Sequence, residues 1–261
     1  MAKRIVTLVA LGMMMGLFPR HDACAQGRAD AVRADTVRVS VLGVEAVRVT
    51  CGKKTVFIDA FADGIPEFEA DKASLILVTH DDGDHFSAPK VAAAARAAGA
   101  LVVGPPSIAY PLLVDEKLPP EQLAIVYPKL FKKPIVREIR GVRIKIFQTQ
   151  HNGEWNPVHV SYLVELGGKK LFHTGDSSMI PEDDADLRNL DVLLHVFNTK
   201  DAAQISRLDA VREKLRPRYL VPIHLLHCSW TMTPEGFARE VEERGLKGFV
   251  VLGENDVLEV P

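Results

Sequence analysis

Hydrophobic and polar residues alternate along the first part of the chain, in the pattern typical of strands that bury one face. Valines alternate with Arg38 and Ser40 across Val37–Val41, and similar patterns continue through residues 47–49 and 55–59. Short polar turns separate these segments. The pattern therefore predicts an antiparallel meander near the start of the folded chain.

Strand and helix patterns then alternate along the rest of the chain. Apolar or alternating runs predict strands at residues 74–79, 101–103, 142–149, 158–166, 169–174, 192–197, 219–223, 249–252 and 257–260. Helices are predicted between a Ser87 cap and a Gly99 stop, at residues 202–215 and at residues 233–244. Gly167-Gly168 predicts a hairpin turn, and the proline-dense segment 105–134 predicts mostly loops with one short helix near residue 120. The order of elements indicates an α/β protein.

The loop after the predicted strand 74–79 concentrates residues that bind metals. It contains His80, Asp81, Asp82, Asp84 and His85, with Gly83 predicted to allow a tight turn. So many carboxylates in one loop are costly unless a cation neutralises them, and histidine with aspartate suits zinc. The alternative is a solvated acidic turn, which the apolar strand leading directly into the loop argues against.

Three further predicted strands also end in residues that bind metals. His151 follows strand 142–149, Asp176 follows strand 169–174, and His224 follows strand 219–223. Strand ends are rigid supports, as a site with several ligands requires. The sequence therefore predicts that these side chains meet the His80 loop around a metal.

These residues together resemble the metallo-β-lactamase-fold hydrolases, whose loop motif reads His-x-His-x-Asp-His after an apolar strand. Here the corresponding segments read His80-Asp81-Asp82-Gly83-Asp84-His85, His151, His173-Thr174-Gly175-Asp176 and Val221-Pro222-Ile223-His224. The resemblance covers roughly residue 37 to the C-terminus. It is strongest to the branch that includes ascorbate-phosphate lactonase and the phospholipase D-type N-acylethanolamine enzymes. It implies a four-layer αββα sandwich of two mixed β-sheets flanked by helices.

The resemblance also implies how seven ligands divide between two divalent metal ions. The first ion would be held by His80, Asp82 and His151, and the second by Asp84, His85 and His224, with Asp176 bridging them. A metal-bound water would then cleave an ester, lactone or phosphodiester bond, and Asp84 would orient or deprotonate that water. Zinc is the expected metal; manganese, iron or a single ion are the alternatives.

Asp82 departs from the family motif, which has histidine at this position. The carboxylate adds negative charge and hardens the ligand set, which favours manganese or iron or weakens the first metal. A second hypothesis follows: a non-catalytic metal- or ligand-binding module on the same fold. A β-lactamase proper is disfavoured, because Asp84-His85 and Asp176 stand in place of a cysteine ligand.

Other histidines and aromatic residues lie near the predicted strand ends. His173 and His195 are candidates for the acid that protonates the leaving group, although core histidines are the favoured interpretation. His159 is predicted to be structural. Trp155 and Trp230 could form an apolar wall for the substrate or could be ordinary core or rim aromatics.

The N-terminal segment predicts export. Residues 1–25 combine a basic start, an apolar run too short for a comfortable membrane span, and an A-x-A site at Ala23-Cys24-Ala25, as in a secretory signal peptide. A lipoprotein anchor on Cys24 is the alternative, for which His21-Asp22 is a poor context. Residues 26–35 are then a flexible leader and residues 36–261 a single metallo-hydrolase domain. A periplasmic or secreted protein without a stable membrane anchor is expected.

Charge and cysteine content narrow the expected partners. The net charge is −2, without a basic run typical of binding to nucleic acids or membrane surfaces, so a small-molecule substrate is expected. Cys51 and Cys228 could form a disulfide in an oxidising compartment, which the sequence does not decide. Cys228, close to His224 in sequence, could approach a metal, but a buried small side chain is the favoured interpretation.

Overall fold

The computed structural model describes residues 36–63, 72–129, 133–151, 158–254 and 256–261. The predicted signal peptide (1–25), the predicted leader (26–35) and Trp155 lie outside this part. In chain order the strands are β1 (Val37–Val41), β2 (Val47–Cys51), β3 (Lys54–Ile58), β4 (Leu75–Leu77), β5 (Leu101–Gly104), β6 (Leu123–Ile125), β7 (Ile135–Ile139), β8 (Val142–Thr149), β9 (His159–Leu166), β10 (Lys169–His173), β11 (Val192–Val196), β12 (Tyr219–Ile223) and β13 (Leu258–Val260). The α-helices are α1 (Ala88–Ala98), α2 (Ile205–Leu215) and α3 (Pro234–Glu243).

The first sheet has the strand order β13-β1-β2-β3-β4-β5-β6. Strands β1, β2 and β3 pair antiparallel, with Val39 opposite Val49 and Val49 opposite Val56. The predicted meander is therefore confirmed. From β3 to β6 the strands run parallel, which places the loops after β3, β4 and β5 at one end of the sheet.

The second sheet has the order β12-β11-β10-β9-β8-β7. Its strands are antiparallel from β7 to β10 and parallel from β10 to β12. Gly167 and Gly168 connect β9 to β10 with φ angles of 58° and 73°, as a tight hairpin requires. This hairpin confirms the prediction from the two adjacent glycines.

The main core lies between the two sheets. Val39 and Leu77 of the first sheet pack in one cluster with Tyr162 and Leu194 of the second. On the outer face of the first sheet, α1 buries Val91 and other small residues against a second cluster. Outside the second sheet, the buried residues of α2 and α3 belong to two further apolar clusters. The predicted α/β architecture, a four-layer sandwich of two mixed sheets flanked by helices, is confirmed.

The structure corrects several local predictions. The segment 105–134, predicted as mostly loops, contains the short edge strand β6, whose pairing to β5 outweighs the surrounding prolines. The edge strand β7, which pairs with β8 directly after that segment, was not predicted. The strand predicted at 249–252 reduces to a single bridge between Phe249 and Leu220. Ser87 lies at the N-cap of α1 without a side-chain capping bond, whereas Gly99 ends that helix in the left-handed conformation, as predicted.

None of the helices in the described ranges is long and apolar enough to cross a lipid bilayer.

Candidate metal centre

Four strand ends meet at one end of the sandwich and bring the predicted ligands together. His80 follows β4, His151 follows β8, Asp176 follows β10 and His224 follows β12. Ligand atoms of His80, His151 and Asp176 lie within 4.8 Å of one another, and so do those of Asp84, His85 and His224. Six of the seven residues predicted from the sequence therefore surround one small volume, and the seventh, Asp82, approaches His80 and His151.

Asp176 lies between the two groups of histidines. Its Oδ2 atom is 3.5 Å from Nε2 of His151. Its Oδ1 atom is 3.5 Å from Nε2 of His85 and 3.6 Å from Nε2 of His224. One carboxylate thus faces both groups, which is the position that a bridging ligand needs.

Asp82 and Asp84 complete the two groups. Asp82 Oδ2 is 3.5 Å from Nε2 of His80 and 3.3 Å from Nε2 of His151. Asp84 Oδ2 is 3.9 Å from Nε2 of His85 and 3.7 Å from Nε2 of His224. Asp82, which occupies the motif position predicted to hold histidine, therefore points its carboxylate at His80 and His151. Gly83 lies in a tight turn, as predicted, in which the His85 and Phe86 N–H groups donate to the Asp82 carbonyl, although its φ is not positive.

The polar atoms of this cluster fit a cation. The Nε2 atoms of His80, His85 and His151 and Oδ1 of Asp176 are buried and have no hydrogen-bond partner among the described residues. Buried polar atoms without partners are costly, and ligation of a cation would satisfy them. Imidazole nitrogens and carboxylate oxygens are suitable donors for zinc, manganese or iron.

A hydrogen-bond network holds His80 in the form that can bind a metal. Asp59 Oδ1 accepts from the Thr79 backbone N–H at 2.8 Å, and Asp59 Oδ2 accepts from the Thr79 hydroxyl at 2.6 Å. Because that hydroxyl proton is committed to Asp59, Nδ1 of His80 must donate to Thr79 Oγ1, which is 2.9 Å away. Nε2 of neutral His80 then carries a lone pair and faces the cluster.

The Gly175-Asp176 turn is held by a second chain of hydrogen bonds. The Asp176 backbone N–H donates to Nε2 of His159 at 3.0 Å, and Nδ1 of His159 then donates to the Thr149 hydroxyl at 2.8 Å. Gly175 has a φ of 55°, and a Cβ atom there would lie 2.5 Å from His159 Nε2. His159 is therefore structural, as predicted, and it positions Asp176 without reaching the cluster itself.

The electrostatics of the cluster keep its central carboxylate ionised. Burial by itself would raise the pKa of Asp176, but the approaching His151 and His85 imidazoles lower that pKa instead. Burial would lower the pKa of His85, but contacts with Asp176 and Asp59 raise it well above its ordinary value. The pKa of His80 falls because of burial and the nearby charge of His85. Negative charge at the centre is thus balanced by the surrounding imidazoles.

Sequence reasoning missed one residue of the cluster, Glu45. It lies in the turn between β1 and β2, is 0% exposed, and has a carboxylate within 4.8 Å of the ligand atoms of Asp176 and His224. Burial and the charge of Asp176 raise its pKa well above the ordinary value. The available signal was an acidic residue alone in the otherwise apolar segment 41–47.

Neither histidine considered as an acid is placed for that role. His173 donates from Nε2 to the Glu45 carbonyl at 3.0 Å and accepts at Nδ1 from the Gly175 N–H at 3.0 Å, so both nitrogens are used. His195 donates from Nδ1 to the Val196 carbonyl at 2.8 Å. Its ring lines a separate cavity of about 470 Å³ shared with α2 residues such as Leu208. Both are core histidines, which is the interpretation favoured from the sequence.

The two cysteines and Trp230, the other residues considered from the sequence, lie at the edge of the cluster or far from it. Cys51 and Cys228 are not bonded to each other, so the structure does not support a disulfide between them. Cys228 is half-buried, and its Sγ lies 3.4 Å from Nδ1 of His224, on the side of the ring away from the carboxylates. Trp230 is 56% exposed with its ring centroid 6.0 Å from that of His224, which makes it a rim aromatic.

A two-sheet αββα sandwich with imidazoles and carboxylates clustered at its strand ends defines the metallo-β-lactamase class of hydrolases. A family model described as "Beta-lactamase superfamily domain" matches residues 38–224. A UPF0173 metal-dependent hydrolase of Thermus thermophilus is 32% identical over 235 residues, covering 81% of this chain and 94% of that protein. The chain belongs to the β-lactamase superfamily and, within it, to the UPF0173 metal-dependent hydrolases.

Solved structures show the same fold at lower sequence identity. Igni18, a metallo hydrolase from the archaeon Ignicoccus hospitalis, gives a TM-score of 0.65 at 18% identity, covering 87% of this chain and 99% of its own. The metallo-β-lactamase-fold protein YhfI of Bacillus subtilis gives 0.60 at 15% identity, covering 86% and 99%. These structures show the fold alone. The family match and the Thermus relative make the protein a metal-dependent hydrolase, while the narrower resemblance to ascorbate-phosphate lactonase stays a prediction.

Proposed function

We propose that the protein is an exported hydrolase that holds two divalent cations and cleaves an ester, lactone or phosphodiester bond in a small molecule. His80, Asp82 and His151 would hold the first cation, Asp84, His85 and His224 the second, and Asp176 would bridge them. Zinc is the expected cation, with manganese and iron as alternatives because three of the seven donors are carboxylates.

The observation that supports this proposal most strongly is the set of unsatisfied donors around Asp176. Three buried Nε2 atoms, from His80, His85 and His151, have no hydrogen-bond partner in the described part of the chain. Two of them, together with His224, point at one carboxylate from distances of 3.5–3.6 Å. Bound cations would supply Lewis acidity and activate a water molecule near neutral pH.

The residues around the cluster suggest how a substrate is handled. The Asp82 and Asp84 side chains are 35% and 32% exposed, whereas that of Asp176 is 11% exposed, so the two loop aspartates have the better access to solvent and substrate. We assign the acceptance of a proton from the attacking water to Asp84, because it is the loop aspartate that matches the family motif. Trp230 at the rim offers an apolar surface for a substrate group.

Elemental analysis combined with a substrate panel tests the proposal. The purified protein, reconstituted with excess zinc or manganese and desalted, should retain about two equivalents of cation. It should hydrolyse at least one of a p-nitrophenyl ester, a lactone and bis(p-nitrophenyl) phosphate, and a chelator should abolish the activity reversibly. Asp84→Asn should lower kcat by about 100-fold or more, whereas Asp115→Asn, on the exposed surface, should not. Retention of less than one equivalent of cation would contradict the proposal.

Export needs its own test, because it depends on residues 1–25. Expression of the full chain in a bacterial host should give a mature protein in the periplasm or medium, beginning at Gln26 by mass spectrometry. A cytoplasmic protein that keeps residues 1–25 would contradict export and leave the hydrolase proposal intact.

A further inference from the structure

Glu45 directs a carboxylate into the metal cluster from a strand connection that carries none of the seven predicted ligands. Its side chain is 0% exposed, and both carboxylate oxygens have no hydrogen-bond partner within the described ranges. One of these oxygens lies within 4.8 Å of ligand atoms of both Asp176 and His224. Glu45 is therefore on the side of the cluster that contains the proposed second cation.

Backbone contacts hold Glu45 in this position. The carbonyl of Val44 accepts from the His224 backbone N–H at 2.6 Å. The carbonyl of Glu45 itself accepts from Nε2 of His173 at 3.0 Å. A bond of 2.7 Å from the Leu42 N–H to the Ala46 carbonyl closes the turn between β1 and β2. These contacts tie the Glu45 backbone to the loops that carry His224 and Asp176.

A carboxylate at this place is unfavourable unless something compensates it. Burying a polar group without a partner costs free energy, and an ionised group costs far more. Asp176 adds a second negative charge close by, and the Nε2 atom of His173, already donating to the Glu45 carbonyl, lies 3.8 Å from Glu45 Oε2. A cation shared with Asp176 and His224 would satisfy both oxygens, and buried charges in proteins are typically paired or coordinate metals.

We propose that Glu45 is a further metal ligand, completing the second cation position with Asp84, His85, His224 and the bridging Asp176. This inference depends on the proposed two-cation function. With Glu45 included, the second cation position has three carboxylates and two imidazoles. Zinc usually takes four ligands in proteins, whereas manganese and iron accept more ligands and favour oxygen donors. The second position should therefore discriminate against zinc more than the first.

Manganese titration of the metal-free protein tests this role without an activity assay. Free Mn²⁺ is counted by electron paramagnetic resonance for the wild type, Glu45→Gln and Glu138→Gln. The last variant is the matched control, because Glu138 is an exposed residue of β7. The wild type and Glu138→Gln should bind two ions alike. In Glu45→Gln one of the two sites should lose affinity at least tenfold, because the amide keeps the shape and removes the charge.

A second variant covers the case in which Glu45→Gln fails to fold. Glu45→Met puts an apolar side chain of similar length into a buried position, a replacement that buried charged groups tolerate well. It should fold by circular dichroism and show the same loss of one manganese site. Two unchanged sites in the folded variants would overturn the role of Glu45 and leave the two-cation proposal standing. A wild-type protein that binds no manganese, zinc or iron would overturn both.

Discussion

The Asp59 carboxylate accepts a hydrogen bond from Nδ1 of His85 at 3.0 Å, and both side chains are fully buried. This bond fixes the tautomer of the neutral ring, because a neutral imidazole that donates from Nδ1 presents its lone pair at Nε2. Nε2 of His85 is the atom that faces Asp84 and Asp176. Asp59 thus acts on the metal cluster through the orientation and basicity of His85, without entering it.

Asp59→Asn should therefore weaken cation binding while leaving the seven ligands in place. The asparagine amide offers only one acceptor and also faces the Thr79 backbone N–H and hydroxyl, so His85 loses its anionic partner. We expect a loss of about 10–100-fold in affinity for one cation, as for other partners of metal-bound histidines. Titration of the metal-free protein with Zn²⁺ in the presence of a competing chelator measures this loss of affinity. Asp115→Asn, an exposed change of the same chemistry, should match the wild type; equal weakening in both variants would contradict the role of Asp59.

Asp82→His tests whether the departure from the family motif tunes the metal or marks a decayed site. Restoring imidazole next to His80 and His151 removes one negative charge and adds a softer nitrogen donor, which zinc accepts more readily than manganese does. We expect the ratio of zinc to manganese affinity at the first position to rise about tenfold or more. The unchanged protein should already hydrolyse one of the generic substrates. Activity that appears only in Asp82→His would instead support the non-catalytic module.

Much of the fold could be predicted because its signals are local. Alternating valines predicted the meander of β1 to β3, two adjacent glycines predicted the β9–β10 hairpin, and a threonine-proline pair predicted the start of α3. The ligand positions could be predicted for a related reason. His80, His151 and His224 each lie within three residues of the end of a strand, and strand ends are rigid supports for ligands.

The remaining features depend on contacts between distant segments. β6 is 3 residues long, and β7 pairs only at the edge of its sheet, so neither has a pattern that outweighs the nearby prolines. Glu45 precedes β2, and its role depends on the placement of β12, which brings His224 to the Val44 carbonyl. No local rule connects residues 45 and 224. The tautomers of His80 and His85 likewise follow from Asp59, which reaches both through the tertiary fold.

Gly175→Ala should disrupt the metal cluster by distorting the backbone of the turn that carries Asp176. A Cβ atom at residue 175 would lie 2.5 Å from His159 Nε2 and 3.0 Å from Thr79 Cβ, at a φ of 55° that alanine adopts only with strain. Displacement of His159 removes the acceptor that holds the Asp176 N–H. We expect unfolding free energy to fall by more than about 2 kcal/mol and bound metal to drop below one equivalent.

Gly168→Ala is the matched control for that prediction. Residue 168 also has a positive φ, 73°, but an added Cβ would meet no described atom within 4 Å. Backbone strain alone should cost about 1–2 kcal/mol there and leave the metal content at the wild-type value. Chemical denaturation and elemental analysis measure both quantities. Equal metal loss in the two variants would show that strain, and not displacement of His159, controls the cluster.

His195 should make the protein less stable as the pH falls. Burial lowers the pKa of His195 to about 4, with the bond to the Val196 carbonyl offsetting this only in part. In the unfolded chain the imidazole has its ordinary pKa of about 6.5, so the unfolded state binds more protons between pH 4 and 6.5. The stabilisation from a neutral buried ring is therefore complete above about pH 6.5 and is lost on acidification, at up to about 1.4 kcal/mol per pH unit.

His195→Asn retains a donor for the Val196 carbonyl but does not titrate. Urea unfolding of the metal-free proteins at pH 7.5 and pH 5 should show the wild type losing about 2 kcal/mol more than this variant. His227→Asn, an exposed change, should follow the wild type, and parallel losses in all three proteins would contradict the assignment.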